Sequence, residues 1–239
     1  MEHSHEPHAI RRRLSGRRQA SYLRDAVYGG IDGAVTTFAV VSGVTGADLT
    51  ARVLLILGIA NLIADGFSMA AGNYLATATE RDEIDRLVAI EHRHIDSEPE
   101  GERAEVREIY RQRGLAGEPL EQVVAAITSD RDRWVETMLA YEYGVLRDTR
   151  RPWPAALATF MAFSVCGMIP LLPYLAGTGR PFPVAAVLTG AVFFGIGALK
   201  SRWSVRRWWR AGLETLAIGA VAAALAYGAG AVIAAGLGG

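Results

Sequence analysis

Two aspartates each stand inside a helix-length stretch that is otherwise free of charge. No charged residue occurs from Gly33 to Ala47 beyond Asp32, and Asp65 is the single charge between Val53 and Thr79. A carboxylate at the centre of a bilayer costs about 3 kcal/mol or more, so it persists mainly where it faces a pathway, a partner or an ion. Asn61, Asp65 and Met69 recur every four residues and therefore lie above one another on one helix face. Across about 12 Å of helix rise they offer an amide oxygen, a carboxylate and a thioether. Hard oxygens with one soft sulfur suit a borderline divalent transition metal better than Mg2+ or Ca2+, although a methionine such as Met69 is also ordinary core filler. Asp32, flanked by Gly30 and Gly33, either lets an ion or a second backbone approach closely or is an interfacial carboxylate reaching water.

A second constellation lies in a polar stretch further along. Glu91 and His94 are three residues apart, as are Glu102 and Glu105, and neighbours at that spacing share a helix face. Met138 and Glu142 are four apart on a later helical segment, with Glu108 a further candidate ligand. Glu-x-x-His is the pairing used by helix-bundle di-iron carboxylate sites, but a full site takes two copies of it, and Glu91 to His94 is the one copy here. Glutamates are also frequent on solvated helix faces, so the same residues read equally as a charged surface. His3, His5 and His8 in HSHEPH could bind metal but belong to a basic tail expected to be disordered.

These groups must be positioned by helices. The net charge is zero and 51% of residues are hydrophobic, which alone would suit a soluble protein, yet the charges are segregated along the chain. Stretches with few or no charges cover 33–47, 53–79, 154–179, 181–199 and 215–239, and a span needs roughly 20 apolar residues. The fold class is therefore an all-α membrane protein with five transmembrane helices. A small helical domain is inserted between the second and third. The expected organisation is a basic segment 1–24, spans one and two in 25–79, a polar helical domain 80–152, and spans three to five in 153–239. Span two continues without a break signal into TERDEIDRLVAIEHRHID. Helices are expected over 102–113, 119–128 and 131–148, the last opened by Ser129-Asp130 as a start signal. Pro170 and Pro173 are expected to kink span three. Glycines along span one permit close helix approach.

Orientation follows from Lys and Arg beside the spans, which are in excess on cytoplasmic flanks. Six arginines lie between Arg11 and Arg24, and the span four–five connection holds Lys200, Arg202, Arg206, Arg207 and Arg210, with Trp203, Trp208 and Trp209 as interfacial rings. The opposite connections hold Arg52 and Arg180. The N-terminus and the polar domain are thus read as cytoplasmic and the C-terminus as outside. The basic N-terminus lacks the apolar core and cleavage site of a signal peptide. Cys166, the lone cysteine, is read as a small packing residue.

The motifs RDAVYGGIDGAVTTFAVVSGVTGA, NLIADGFSMAAGNYLATATERDE and WVETMLAYEYGV together resemble the vacuolar iron transporter family, from about Ser21 to the C-terminus, and the chain is similar to a bacterial-type member in the plasma membrane. The resemblance implies export of Fe2+, and in some members Mn2+, from the cytosol by exchange for protons, with no permanently bound cofactor. It implies a homodimer with the metal path between subunits, Asp32 and Met69 at transport positions, and cytoplasmic capture by Glu91, Glu102, Glu105, Met138 and Glu142. Zn2+ is a further ion that such a domain is expected to bind. His94 stands where the family pattern has Glu, Leu139 where a second Met follows, and Asn61 where some relatives carry a membrane Glu. Asp65, one turn from Asn61, is placed to take over that carboxylate role. Two other classes remain at this stage: a membrane-anchored ferritin-like di-iron oxidase, and a metal-buffering protein without transport.

Overall fold

The computed structural model describes residues 5–15, 20–146, 150–201 and 206–237, without side chains at 12–15 and 237. Ten α-helices occur there: α1 Pro7–Ser15, α2 Leu23–Gly46, α3 Ala51–Ser97, α4 Pro99–Arg111, α5 Gly117–Thr128, α6 Arg131–Tyr141, α7 Pro152–Met168, α8 Leu172–Leu175, α9 Pro181–Lys200 and α10 Trp208–Leu237. No strand occurs among the described residues. Five helical segments are long and apolar enough to cross a membrane: α2, α3, α7 with α8, α9 and α10. The chain is a multi-pass helical membrane protein by length and composition. His3 and Trp203 lie outside the described residues.

The chain divides into two compact units. One comprises residues 1–20 and 77–149, the other 21–76 and 150–239. The single helix α3 contributes to both, as the absence of a break signal after Thr79 predicts. The membrane unit is assembled through small residues on α2. A Cβ on Gly29 would lie 3.0 Å from the Thr159 Cα, and one on Gly33 would lie 2.8 Å from the Phe163 Cα. Backbone cannot yield as a side chain can, so only glycine admits this approach. Gly29 meets Thr159 and Gly33 meets Phe163, a constant offset, so α2 and α7 run parallel, as first and third spans must. Near the other end of α2, a Cβ on Gly43 would lie 3.4 Å from the Ala226 carbonyl oxygen of α10. Large apolar side chains such as Ile56, Ile63 and Phe67 of α3, Val187 of α9 and Leu225 and Val232 of α10 are exposed, the surface a lipid solvent accepts.

Pro170 and Pro173 act as expected. α7 stops at Met168, a 3-10 turn covers Ile169–Leu171, and the short α8 completes the span.

The helical unit is organised around Ile95, Val106, Leu120, Val124, Ile127, Trp134, Val135, Met138 and Leu139. α6 opens where the start signal lies, with the Asp130 side chain accepting from the Arg133 amide at 3.1 Å. Three features differ from expectation. α4 begins at Pro99, because proline is tolerated in a first helical turn. α6 ends at Tyr141 rather than 148, since Gly144 follows in a left-handed conformation at φ 68°. The basic tail is not structureless throughout, because Pro7–Ser15 is helical and contains His8.

Candidate functional site

Each unit holds one constellation. In the membrane unit, α3 buries a stripe that includes Leu54, Gly58, Leu62 and Gly66, with Asn61, Asp65, Met69 and Asn73 half-buried along the same side. The intervening Ile63 and Phe67 are exposed, so the four-residue spacing places the polar groups on the packed side of the helix. Asp32 on α2 is half-buried, and its carboxylate lies within Coulombic reach of Asp65. The Asn73–Asp25 hydrogen bond between α3 and α2 sets Asp65 and Asp32, two turns further along, at matching levels of the two spans. Thr36 donates to the Asp32 carbonyl at 2.9 Å.

A second bridge between the same helices escaped the sequence reading. Asn73 Nδ2 donates to Asp25 Oδ1 at 3.0 Å, and Asp25 is only 7% exposed. With Asn73 against Asp25 and Asp65 facing Asp32, α2 and α3 run antiparallel, and Met69 falls level with Gly29 between the two pairs. The pairs are separated by seven residues along α2, about 10 Å. The missed signal was positional: Asp25 precedes Asp32 by two helical turns and Asn73 follows Asp65 by two. Asp25 reads as flanking charge because Arg24 stands beside it.

In the helical unit, α3, α4 and the residues after α6 bring five predicted ligands together. Glu91 is fully buried and Glu102 is 5% exposed, whereas Glu105, Glu142 and His94 are exposed. His94 Nδ1 lies 3.3 Å from Glu102 Oε1 and 3.9 Å from Glu91 Oε1. Burial, then repulsion from Glu91 and Glu105, pushes Glu102 up to about 7. The same causes raise Glu142. Tyr143, which the sequence reading did not single out, donates its hydroxyl to Glu91 Oε1 at 2.9 Å; burial and that bond raise its pKa. Glu91 Oε2 and Glu102 Oε2 are buried without hydrogen-bond partners. Buried acceptors left open in this way are costly, and a cation would satisfy them. Among the described residues, no group of three or more His, Cys, Asp or Glu side chains is placed to hold a metal ion.

Two predicted ligands sit differently. Glu108 is exposed and forms a two-pronged pair with Arg111 at 2.6 and 2.7 Å, and the Arg111 and Gln112 bonds hold its carboxyl down at about 2. It follows Glu105 by three residues on α4, but Arg111 and Gln112, three and four residues further on, take up its carboxylate. Met138 has no exposed surface and packs in the apolar core beside Leu139. His92 accepts from Arg131 Nε at 2.9 Å, while Arg131 also pairs with Asp96. Cys166 of α7 is half-buried and would meet a Cβ on Gly30 at 3.1 Å, in keeping with a packing role. The ring of Trp208 stacks edge-on against Phe194 at 5.9 Å.

Five helices long and apolar enough to cross a membrane define a multi-pass helical membrane protein, with carboxylates on two of the spans and an acidic cluster in the helical unit. The chain belongs to the VIT family, whose model matches residues 23–231. It is 32% identical to vacuolar iron transporter 1 of Oryza sativa subsp. japonica, over 95% of this chain and 89% of that protein. Identity to vacuolar iron transporter 1 of Arabidopsis thaliana is 34%, over 86% of this chain and 83% of the relative. The vacuolar iron transporter of Plasmodium falciparum is 28% identical over 76% of this chain and 71% of its own length. These relatives come from plants and a parasite, so they do not bear out the narrower bacterial-type reading.

Proposed function

We propose that this chain transports iron as a divalent ion, exporting it from the cytoplasm in exchange for protons. The observation that carries the proposal is the presence of Asp32 and Asp65, half-buried carboxylates on two spans joined by the Asn73–Asp25 hydrogen bond, with Met69 and Asn61 on the same stripe as Asp65. Removing such groups from water is expensive unless something passes that requires them. Iron as cargo is supported by the names of the relatives. Proton exchange is supported by the chemistry, because a metal and a proton compete for the same carboxylate oxygens. Mn2+ is a second cargo on the same ligand argument, since Asp32 and Asp65 supply hard oxygens.

In this reading residues 80–152 form a cytoplasmic domain in which Glu91, His94, Glu102, Glu105 and Glu142 collect the ion. Asp32, Asp65 and Met69 then hand it across. The arginines flanking the spans support an inside N-terminus and an outside C-terminus in the host membrane. A homodimer is the assembly the resemblance implies. The oxidase reading has less support, for one Glu-x-x-His is present and the relatives carry transporter names.

The test is Fe2+ flux into proteoliposomes under an imposed pH gradient. Asp32→Ala should abolish flux while metal binding by the helical unit is retained. Flux at the wild-type rate in that variant would refute the pathway.

A further inference from the structure

The Asn73 amide nitrogen is surrounded by more acceptors than it has hydrogens. It lies 3.0 Å from Asp25 Oδ1, 3.2 Å from the Ala155 carbonyl and 2.7 Å from Thr159 Oγ1, while an amide NH2 carries two hydrogens. A carboxylate, a carbonyl and a hydroxyl from two other helices thus converge on one positive pole. Thr159 itself donates to the Ala155 carbonyl at 3.1 Å, so its oxygen lone pairs are what it turns toward Asn73. Thr159 has no exposed surface, Asp25 is 7% exposed, and Asp25 Oδ2 is buried with no hydrogen-bond partner.

We infer that Asp25, Asn73, Ala155 and Thr159 form a hard-cation station inside the membrane unit, where an arriving divalent ion displaces the Asn73 NH2 from its three oxygen partners. A change of Asn73 rotamer draws the NH2 out of the cradle and turns its Oδ1 toward the ion. The cradle then presents four oxygen donors drawn from α2, α3 and α7. Oxygen sets of this kind suit Mn2+ and other hard divalent ions, which keep waters in their remaining positions. The station lies two helical turns from Asp32 and Asp65 on the same two faces, so it extends the polar track by one step and differs from it in lacking sulfur. The inference rests on the transport reading for its purpose, but its chemistry is testable apart from flux.

The first measurement is Mn2+ uptake by proteoliposomes containing the full chain. Asp25→Asn should lower uptake at least tenfold, and Thr159→Val, which removes the hydroxyl oxygen at nearly constant shape, should lower it several-fold. The second is thermal unfolding in detergent with and without Mn2+. Asn73→Asp puts a second carboxylate on the cradle and should be protected by Mn2+ beyond the protection of the wild type, an excess lost in Asp25→Asn/Asn73→Asp. Uptake by Asp25→Asn within twofold of wild type would overturn the station. So would an Asn73→Asp chain that is destabilised equally with and without Mn2+, since that is the behaviour of a hydrogen-bonded clasp. A wild type that takes up no Mn2+ would instead count against Mn2+ as cargo, and the unfolding experiment would still decide whether the station binds it.

Discussion

Replacing Glu102 by Gln should stabilise the metal-free protein while weakening its hold on metal. Glu102 is 5% exposed, and burial with the nearby Glu91 and Glu105 carboxylates moves its pKa from 4.5 to about 7. One pKa unit is worth about 1.4 kcal/mol, so carrying the charge well above pH 7 costs the fold on the order of 3 kcal/mol. The folded-state value lies above the unfolded one. The native state therefore holds the extra proton, and the stability this confers is fully present below about 4.5 and lost as pH rises through about 7. Glu102→Gln removes that pH dependence, and at pH 8 it should gain about 1 to 3 kcal/mol, the lower end if the amide pairs less well than the acid. Near pH 4.5 variant and wild type should be equal. Hydrogen exchange of the Val106, Leu120 and Val124 amides in the intact chain reads the helical unit directly, and Mn2+ titration at pH 8 should show at least a tenfold loss of affinity. A variant less stable than wild type at pH 8 would refute the reasoning, because the carboxylate would then be held by a favourable ion pair with His94.

Three further outcomes follow from the same geometry. Glu108→Gln should leave metal affinity unchanged in the same titration, because that carboxylate is committed to Arg111 and Gln112. Met138→Leu conserves volume in the core and should alter stability by less than about 1.5 kcal/mol. Unchanged affinity for Zn2+ and Cd2+ would assign Met138 to packing, and a selective loss for the softer ion would assign its sulfur to the metal. Gly33→Ala places a methyl group against the Phe163 backbone and should lower the unfolding midpoint by an amount corresponding to about 1 to 3 kcal/mol, whereas Gly72→Ala, with nothing within 4 Å, should be tolerated.

The sequence by itself determined the class of molecule. Charge segregation and apolar run length depend on composition along the chain, and they specify five spans because the bilayer sets a minimum length. Helix periodicity was equally local, so the stripe of Asn61, Asp65 and Met69 and the pairs Glu91–His94 and Glu102–Glu105 were legible before any packing was known. What only the tertiary structure decided is which of these meet. Asp32 and Asp65 come to matching levels because Gly29 and Gly33 seat α2 against α7 while α3 returns antiparallel beside α2, a relation between chain-distant backbones. Glu108 and Met138 show the opposite limit: their types and spacing suit a ligand, yet the packing of α4 and α6 gives one an arginine and the other an apolar core. Asp25 and Tyr143 owe their prominence to partners 48 and 52 residues away, and no local pattern encodes a partner at that distance.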